Sequence, residues 1–196
     1  MSSAADPALW DAEAAGFDAE PDHGLRAPVT RDAWRALLLR ELPPAPADVA
    51  DLGCGTGTLA RLLADQGYRV DALDFSRAMV RAAADKLAGT GVTPRLADAA
   101  DPGLADASLD VVLCRHVLWA LPDPTAALAR WVRALRPGGR LVLVEGDWST
   151  GAGLTAQACR DLVAPHADQV EVTPLTDPAL WGRRIEDERY LVTAQA

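Results

Sequence analysis

The stretch Asp51-Leu52-Gly53-Cys54-Gly55-Thr56-Gly57 constrains the fold of this chain more than any other. It joins a short apolar run, residues 49–52, to a segment that places Leu59, Leu62 and Leu63 on one helical face before Gly67 stops it. A strand that turns through glycines into a helix is the opening unit of a parallel α/β sheet. Glycine reaches positive φ without a Cβ clash, and a helix N-terminus leaves backbone N–H groups free. The turn therefore predicts a ligand lying against bare backbone. Counting from Gly53 puts Thr58 where a GxGxxG dinucleotide fingerprint needs its third glycine. The spacing is GxGxG, which argues against a nicotinamide cofactor.

Strands and helices alternate from there on, with no internal repeat. A second strand over residues 69–73 ends at Asp74. Ser76 caps the next helix, where Met79, Val80, Ala83 and Leu87 recur at helical spacing until Gly89 and Gly91. Residues 95–97 give a short third strand. The almost continuous apolar run 109–114 gives a fourth, covered on both faces. Asp123 and Pro124 open a helix with Leu128, Trp131, Val132 and Leu135 on its buried stripe, ended by Pro137, Gly138 and Gly139. A fifth strand over 140–145, a helix over 154–164, and strands near 170–173 and 190–194 complete the pattern. The short link 177–188 predicts that the last strand runs antiparallel to the rest. The expected fold is thus an α/β, Rossmann-like, doubly wound sheet of about seven strands. At 196 residues and 49% hydrophobic, the chain can build one core without disulfides. We expect a single domain over 1–196, with residues 1–45 a helical lid and 46–196 the core.

Nineteen basic against 28 acidic side chains give a net charge of −9, and no basic cluster is dense enough to follow a phosphate backbone. Nucleic acid is not an expected partner. No apolar run approaches the ~20 residues of a membrane span, and the N-terminus lacks a signal-peptide pattern. The expectation is a cytoplasmic protein, monomeric or homodimeric. Cys54, Cys114 and Cys159 are odd in number and widely spaced, which fits reduced thiols and neither a disulfide framework nor a metal centre.

The GxGxG turn, VDALDFSRAMVRAA around Asp74, LADAADPGLADASLDVV through the fourth strand, and LRPGGRLVLVE into the fifth occur together in one half of the chain. In that combination the sequence resembles the class I S-adenosylmethionine-dependent methyltransferases, specifically small bacterial Rossmann-like enzymes acting on metabolites. The resemblance implies S-adenosylmethionine as cofactor, S-adenosylhomocysteine as product, and no metal. Asp51 and the backbone of Gly53, Cys54, Gly55 and Gly57 would line the methionine half, with Asp51 near the ammonium group. Asp74 would accept both ribose hydroxyls, for which two carboxylate oxygens suit a vicinal diol. Phe75 and Met79 would flank adenine. Asp98 would accept from its amino group, the Ala99 N–H would reach a ring nitrogen, and the Arg115 backbone would line the methionine end. Cys54 itself is expected to pack, since no base can be placed beside it.

Methyl transfer needs mainly an in-line nucleophile and exclusion of water. A base helps where the nucleophile carries a proton, and neutral histidine has a suitable ordinary pKa of about 6.5. His116 follows the fourth strand at the carboxyl end of the sheet, where open α/β folds bind ligands, and is the preferred base. His23, in the lid segment, is the second catalytic candidate. His166 reads as a surface residue at a helix C-terminus. Trp119 and Trp148 fall just after strands on the ligand side and suit a flat organic acceptor, while Asp147, with Glu145, could hold an amine. Trp34 and Trp131 read as core, and Trp10 and Trp181 as packing over sheet edges. No Asn/Asp-Pro-Pro-aromatic tetrad follows the fourth strand, which moves the expected acceptor toward a small metabolite. The competing reading is a non-catalytic S-adenosylmethionine-binding sensor or partner module.

Overall fold

A computed structural model describes residues 6–196. Met1 to Ala5, part of the expected lid, lie outside the described residues. In chain order the elements are α1 (Pro7–Glu13), α2 (Pro21–Gly24), α3 (Pro28–Glu41), β1 (Asp48–Leu52), α4 (Thr58–Ala64), β2 (Arg69–Asp74), α5 (Arg77–Leu87), β3 (Arg95–Leu96), β4 (Leu109–Arg115), α6 (Pro124–Ala134), β5 (Leu135–Asp147), α7 (Ala156–Val163), β6 (Asp168–Pro174), α8 (Pro178–Trp181) and β7 (Glu188–Gln195).

The strands form one sheet in the order β3-β2-β1-β4-β5-β7-β6. Pairing is parallel from β3 through β5, and β7 inserts antiparallel between β5 and β6. The strand order reverses between β1 and β4, so the carboxyl ends of those two strands open the crevice where such sheets take ligands. The expected Rossmann-like architecture, its seven strands and its antiparallel last strand are all present.

Alternation along the central strands builds both cores. Val112, Cys114, Leu141 and Leu143 face α6 and α7, where they meet Leu128, Trp131, Cys159 and Val163. Val111, Leu113, Val142 and Val144 point to the opposite face, against Trp34, Leu37 and Leu38 of α3, Leu59 and Leu63 of α4, and Trp181. Each buried aliphatic side chain stabilises the fold by about 1.5–3 kcal/mol. Buried indoles find partners: Trp34 Nε1 donates to the Leu180 carbonyl at 2.7 Å and Trp131 Nε1 to the Ala99 carbonyl at 2.8 Å. Helix starts follow the Ser76 and Asp123 caps read from the sequence, and Thr155 adds a third. Ser76, Asp123 and Thr155 accept from the amides of Met79, Ala126 and Ala158, each worth about 1 kcal/mol.

Four expectations need correction. Pro137, Gly138 and Gly139 do not end α6; the helix stops at Ala134, because Leu135 turns extended and pairs with Leu109, so all three lie within β5. The link between β6 and β7 contains a short helix, α8. Trp181 on that helix is buried against Trp34, ring to edge at 5.7 Å, and does not cover a sheet edge. His166 lies past the end of α7 and is half-buried, with its Nε2 enclosed and unpartnered.

Candidate active site

The carboxyl ends of β1, β2 and β4, closed over by α1, α2 and the turn between them, enclose a cavity of about 310 Å³. Its floor is the glycine turn. Gly53, Gly55 and Gly57 hold φ values of 68°, 55° and 80°, which side chains rarely adopt. Neighbours enforce the first two as well. A Cβ on Gly53 would lie 2.4 Å from Val117 Cγ2, and one on Gly55 would lie 3.2 Å from the Phe17 ring. Gly57 is not on the cavity wall. It starts α4, and its bare Cα lets α5 pack closely, since a Cβ would sit 3.0 Å from that of Ala83.

Two aspartates flank the turn. Asp74 Oδ2 accepts from the Gly55 amide at 2.9 Å and Oδ1 from the Ser76 amide at 2.9 Å. Each oxygen keeps a lone pair for a further donor. Burial raises the Asp74 pKa, while those amides draw it back down. Asp51, at the end of β1, is 2% exposed, and its Oδ2 has no hydrogen-bond partner. Burial pushes its pKa up to about 7 against the opposing pull of Arg115. An orphaned buried carboxylate oxygen on a cavity wall is the complement of a cationic group.

Phe75, Met79, Asp98 and Ala99 also line the cavity. Asp98 is exposed and accepts from the Ala100 amide at 2.8 Å. The Trp131 bond to the Ala99 carbonyl fixes that loop to the core. Cys54 also lines the cavity; burial raises its thiol well above the ordinary value, as befits a packing residue. Arg115 contributes a side chain as well as backbone. The residue is half-buried, and its guanidinium donates to the Asp22 carbonyl at 2.6 Å and lies 5.0 Å over the Trp34 ring.

His116 is on the cavity wall too. Its φ of 60° is uncommon for a non-glycine residue and costs of order 1–3 kcal/mol. Four bonds hold it there. Its amide donates to the Val144 carbonyl at 2.8 Å, its carbonyl accepts from Trp119 Nε1 at 3.0 Å, and Glu145 Oε1 takes the Val117 and Leu118 amides at 3.0 and 2.8 Å. The imidazole packs edge-on to Trp148 at 5.0 Å and stacks on Trp181 at 6.1 Å. Burial, then the charge of Arg115, drives its pKa well below 6.5, so it is neutral at pH 7. His23 reaches the same cavity from the lid, stacked on Phe17 at 4.2 Å, and burial lowers its pKa too.

Trp119 and Trp148 line the cavity together, 5.6 Å apart. Asp147 does not reach it. β5 runs on through that residue, which pairs with Glu188 and bridges to Gly153. Glu145 is fully buried beneath the loop after β4, so it positions backbone and is no amine ligand. The sequence reading missed two groups. Trp10 and Phe17 form the lid's inner wall, packed edge to face at 6.5 Å. Arg189, from β7, lies 5.0 Å over Trp148 and pins that ring. Neither belongs to a local motif; both are brought in by long-range packing.

Residues 50–143 match the family model of a methyltransferase domain. The nocamycin O-methyltransferase of Saccharothrix syringae is 36% identical over 144 residues, covering 66% of this chain and 51% of that protein. A demethylmenaquinone methyltransferase of Beutenbergia cavernae is 34% identical over 149 residues, 72% of this chain and 60% of the relative. The chain thus spans between about half and three-fifths of these relatives. Among solved structures, the complex between the Haloferax volcanii Trm112 methyltransferase activator and a methyltransferase contains a chain that aligns with a TM-score of 0.76 at 22% identity, covering 95% of this chain and 97% of that one. Magnesium protoporphyrin IX methyltransferase from Synechocystis, with S-adenosylmethionine bound, aligns with a TM-score of 0.66 at 23% identity, covering 85% and 78%. The glycine turn with its two aspartates, the strand order and these relatives agree: the chain belongs to the class I S-adenosylmethionine-dependent methyltransferase family.

Proposed function

We propose that this protein transfers a methyl group from S-adenosylmethionine to a nucleophilic atom of a small organic molecule, and that residues 1–196 act as one unit in doing so. The observation that carries the reading is the pairing of the unpartnered Asp51 oxygen with the amide-clamped Asp74 carboxylate on either side of the glycine turn. Bound there, S-adenosylmethionine would supply an electrophilic methyl carbon on a positively charged sulfur. Asp51 would face its ammonium group, Asp74 its ribose hydroxyls, and Phe75, Met79, Asp98 and Ala99 its adenine.

The far end of the cavity would take the acceptor. Trp119 and Trp148 offer flat apolar walls, and relatives that include an O-methyltransferase and a ubiquinone/menaquinone biosynthesis C-methyltransferase by name support an oxygen or carbon nucleophile. His116, neutral at pH 7 and facing the cavity, would remove the acceptor's proton, with His23 opposite it. The lid residues Trp10 and Phe17 would exclude water. The test is calorimetry with S-adenosylhomocysteine, followed by product formation from S-adenosylmethionine over a panel of phenols and hydroquinones. Binding with turnover on at least one acceptor is expected. Failure of purified, folded protein to bind would overturn the reading, and binding with no turnover on any acceptor would favour a sensor.

A further inference from the structure

Asp22 and His23 come from the lid and His116 from the loop after β4, yet one ligand atom from each lies within 4.8 Å of the other two. Asp22 Oδ2 and His23 Nε2 are 3.6 Å apart, too far for a hydrogen bond. That spacing is close to the ~3.4 Å between two donors held at ~2.1 Å on one tetrahedral ion. Two imidazoles and one carboxylate with the remaining positions open form the donor set of catalytic zinc and of non-haem iron sites. His116 Nε2 is enclosed and has no hydrogen-bond partner, an uncommon condition for a buried nitrogen.

We propose that Asp22, His23 and His116 bind a divalent first-row metal ion of the zinc–cobalt class, and that an oxygen of the acceptor completes its coordination shell. The first half stands on geometry alone; the second rests on the methyl-transfer reading. His116 would then act through the ion, which lowers the pKa of a bound hydroxyl and lets its proton pass to solvent, leaving the oxygen lone pair for the methyl group. Charge at the site is mixed. Arg115 and Arg189 oppose a dication, while Asp22 and Glu20 favour it. Ligands from lid and core would make the ion a clasp between them.

The experiment uses full-length protein stripped with a chelator and titrated with Co²⁺ alone, read by its visible d–d bands and by calorimetry. The expected result is one ion per chain, affinity at least tenfold weaker in Asp22→Asn and in His116→Gln, and no binding in the His23→Gln/His116→Gln double variant. His166→Gln, remote in sequence from the cluster, should bind as the parent does. Each variant is checked for fold by its circular dichroism spectrum and melting curve. Unchanged Co²⁺ affinity in Asp22→Asn and His116→Gln, or no Co²⁺ binding by protein that still binds S-adenosylhomocysteine, would overturn the metal site and leave the methyltransferase reading intact. Co²⁺ binding lost in the variants, in a protein that never binds S-adenosylhomocysteine, would support the site while that reading fell. Full methyl transfer by chelated protein would return His116 to the role of a free base and overturn the ion's part in activation.

Discussion

Lys86 of α5 places its Nζ 2.7 Å from Asp18 of the lid, and the same ammonium donates to Thr56 and Thr58 beside the glycine turn at 2.7 and 2.6 Å. One side chain therefore ties the cap to the loop that floors the cavity. Asp11 adds a second tie, accepting from the Ser76 hydroxyl at 2.5 Å and the Ala78 amide at 2.9 Å, so that the lid helps to cap α5. The lid is thus anchored at Asp11 to the start of α5 and at Asp18 to the glycine turn.

Lys86→Met should loosen the lid while leaving the core intact. The side chain is 23% exposed and its partner 24%, so the loss should be about 1–2 kcal/mol, above that of a surface pair. Deuterium exchange should quicken over residues 7–24 and stay unchanged in β1, β4 and β5. Equal protection of the lid in parent and variant would show that Lys86 does not hold it.

Asp74→Ala should weaken S-adenosylhomocysteine binding by about 5- to 150-fold, or ~1–3 kcal/mol. Two effects combine: the ligand's hydroxyls lose their acceptor, and the Gly55 and Ser76 amides lose theirs, freeing the turn. Calorimetry checks the first, and a melting curve checks that the second does not unfold the protein. An unchanged dissociation constant in folded variant would remove Asp74 from the site.

Burial holds the Asp51 pKa at about 7 in the ligand-free protein, so below that pH its carboxyl is mostly protonated. A ligand ammonium favours the ionised form, and binding below pH 7 must first expel the proton. Affinity for S-adenosylhomocysteine should therefore rise with pH, by up to about tenfold per unit from 5.5 to 7, and level off before the ligand's own amine titrates near 7.7–8.0. Asp51→Asn should bind more weakly with no such slope. A parent dissociation constant flat across that range would place Asp51 away from the ligand's cation.

Much of this was legible because it is local. The GxGxG turn, the Ser76 and Asp123 caps and the apolar run of β4 are each written within a few residues, and the structure keeps them. Asp147 was misplaced because the length of β5 is set by its partner: pairing with Glu188 of β7 extends the strand past Glu145. The end of α6 likewise depends on Leu109, which draws Leu135 into the sheet. Trp10 and Phe17 reach the cavity, and Asp22 comes beside His116, through folding of the lid over the sheet, and nothing in their immediate sequence marks those contacts.

Glu145 makes the stability of the fold depend on pH. Its buried carboxyl titrates at about 8, with burial as the main cause and the Leu118 and Val117 amides opposing it. In the unfolded chain a glutamate ionises near 4.3. Between those values the folded state binds the extra proton, so stability falls as pH rises and levels off above about 8. Asp51 contributes in the same sense up to about 7. His23 and His116, with pKa values depressed below 6.5, contribute the opposite slope, but only below 6.5, where the unfolded state takes up protons first. From pH 7 to 8 the Glu145 term should dominate among these four, at no more than ~1.4 kcal/mol per pH unit. Glu145→Gln keeps a carbonyl oxygen for the two loop amides and removes the titration. Urea unfolding at pH 6.5, 7, 7.5 and 8 should show parent stability falling and the variant nearly level. A variant that loses stability as steeply as the parent would assign the slope to another group.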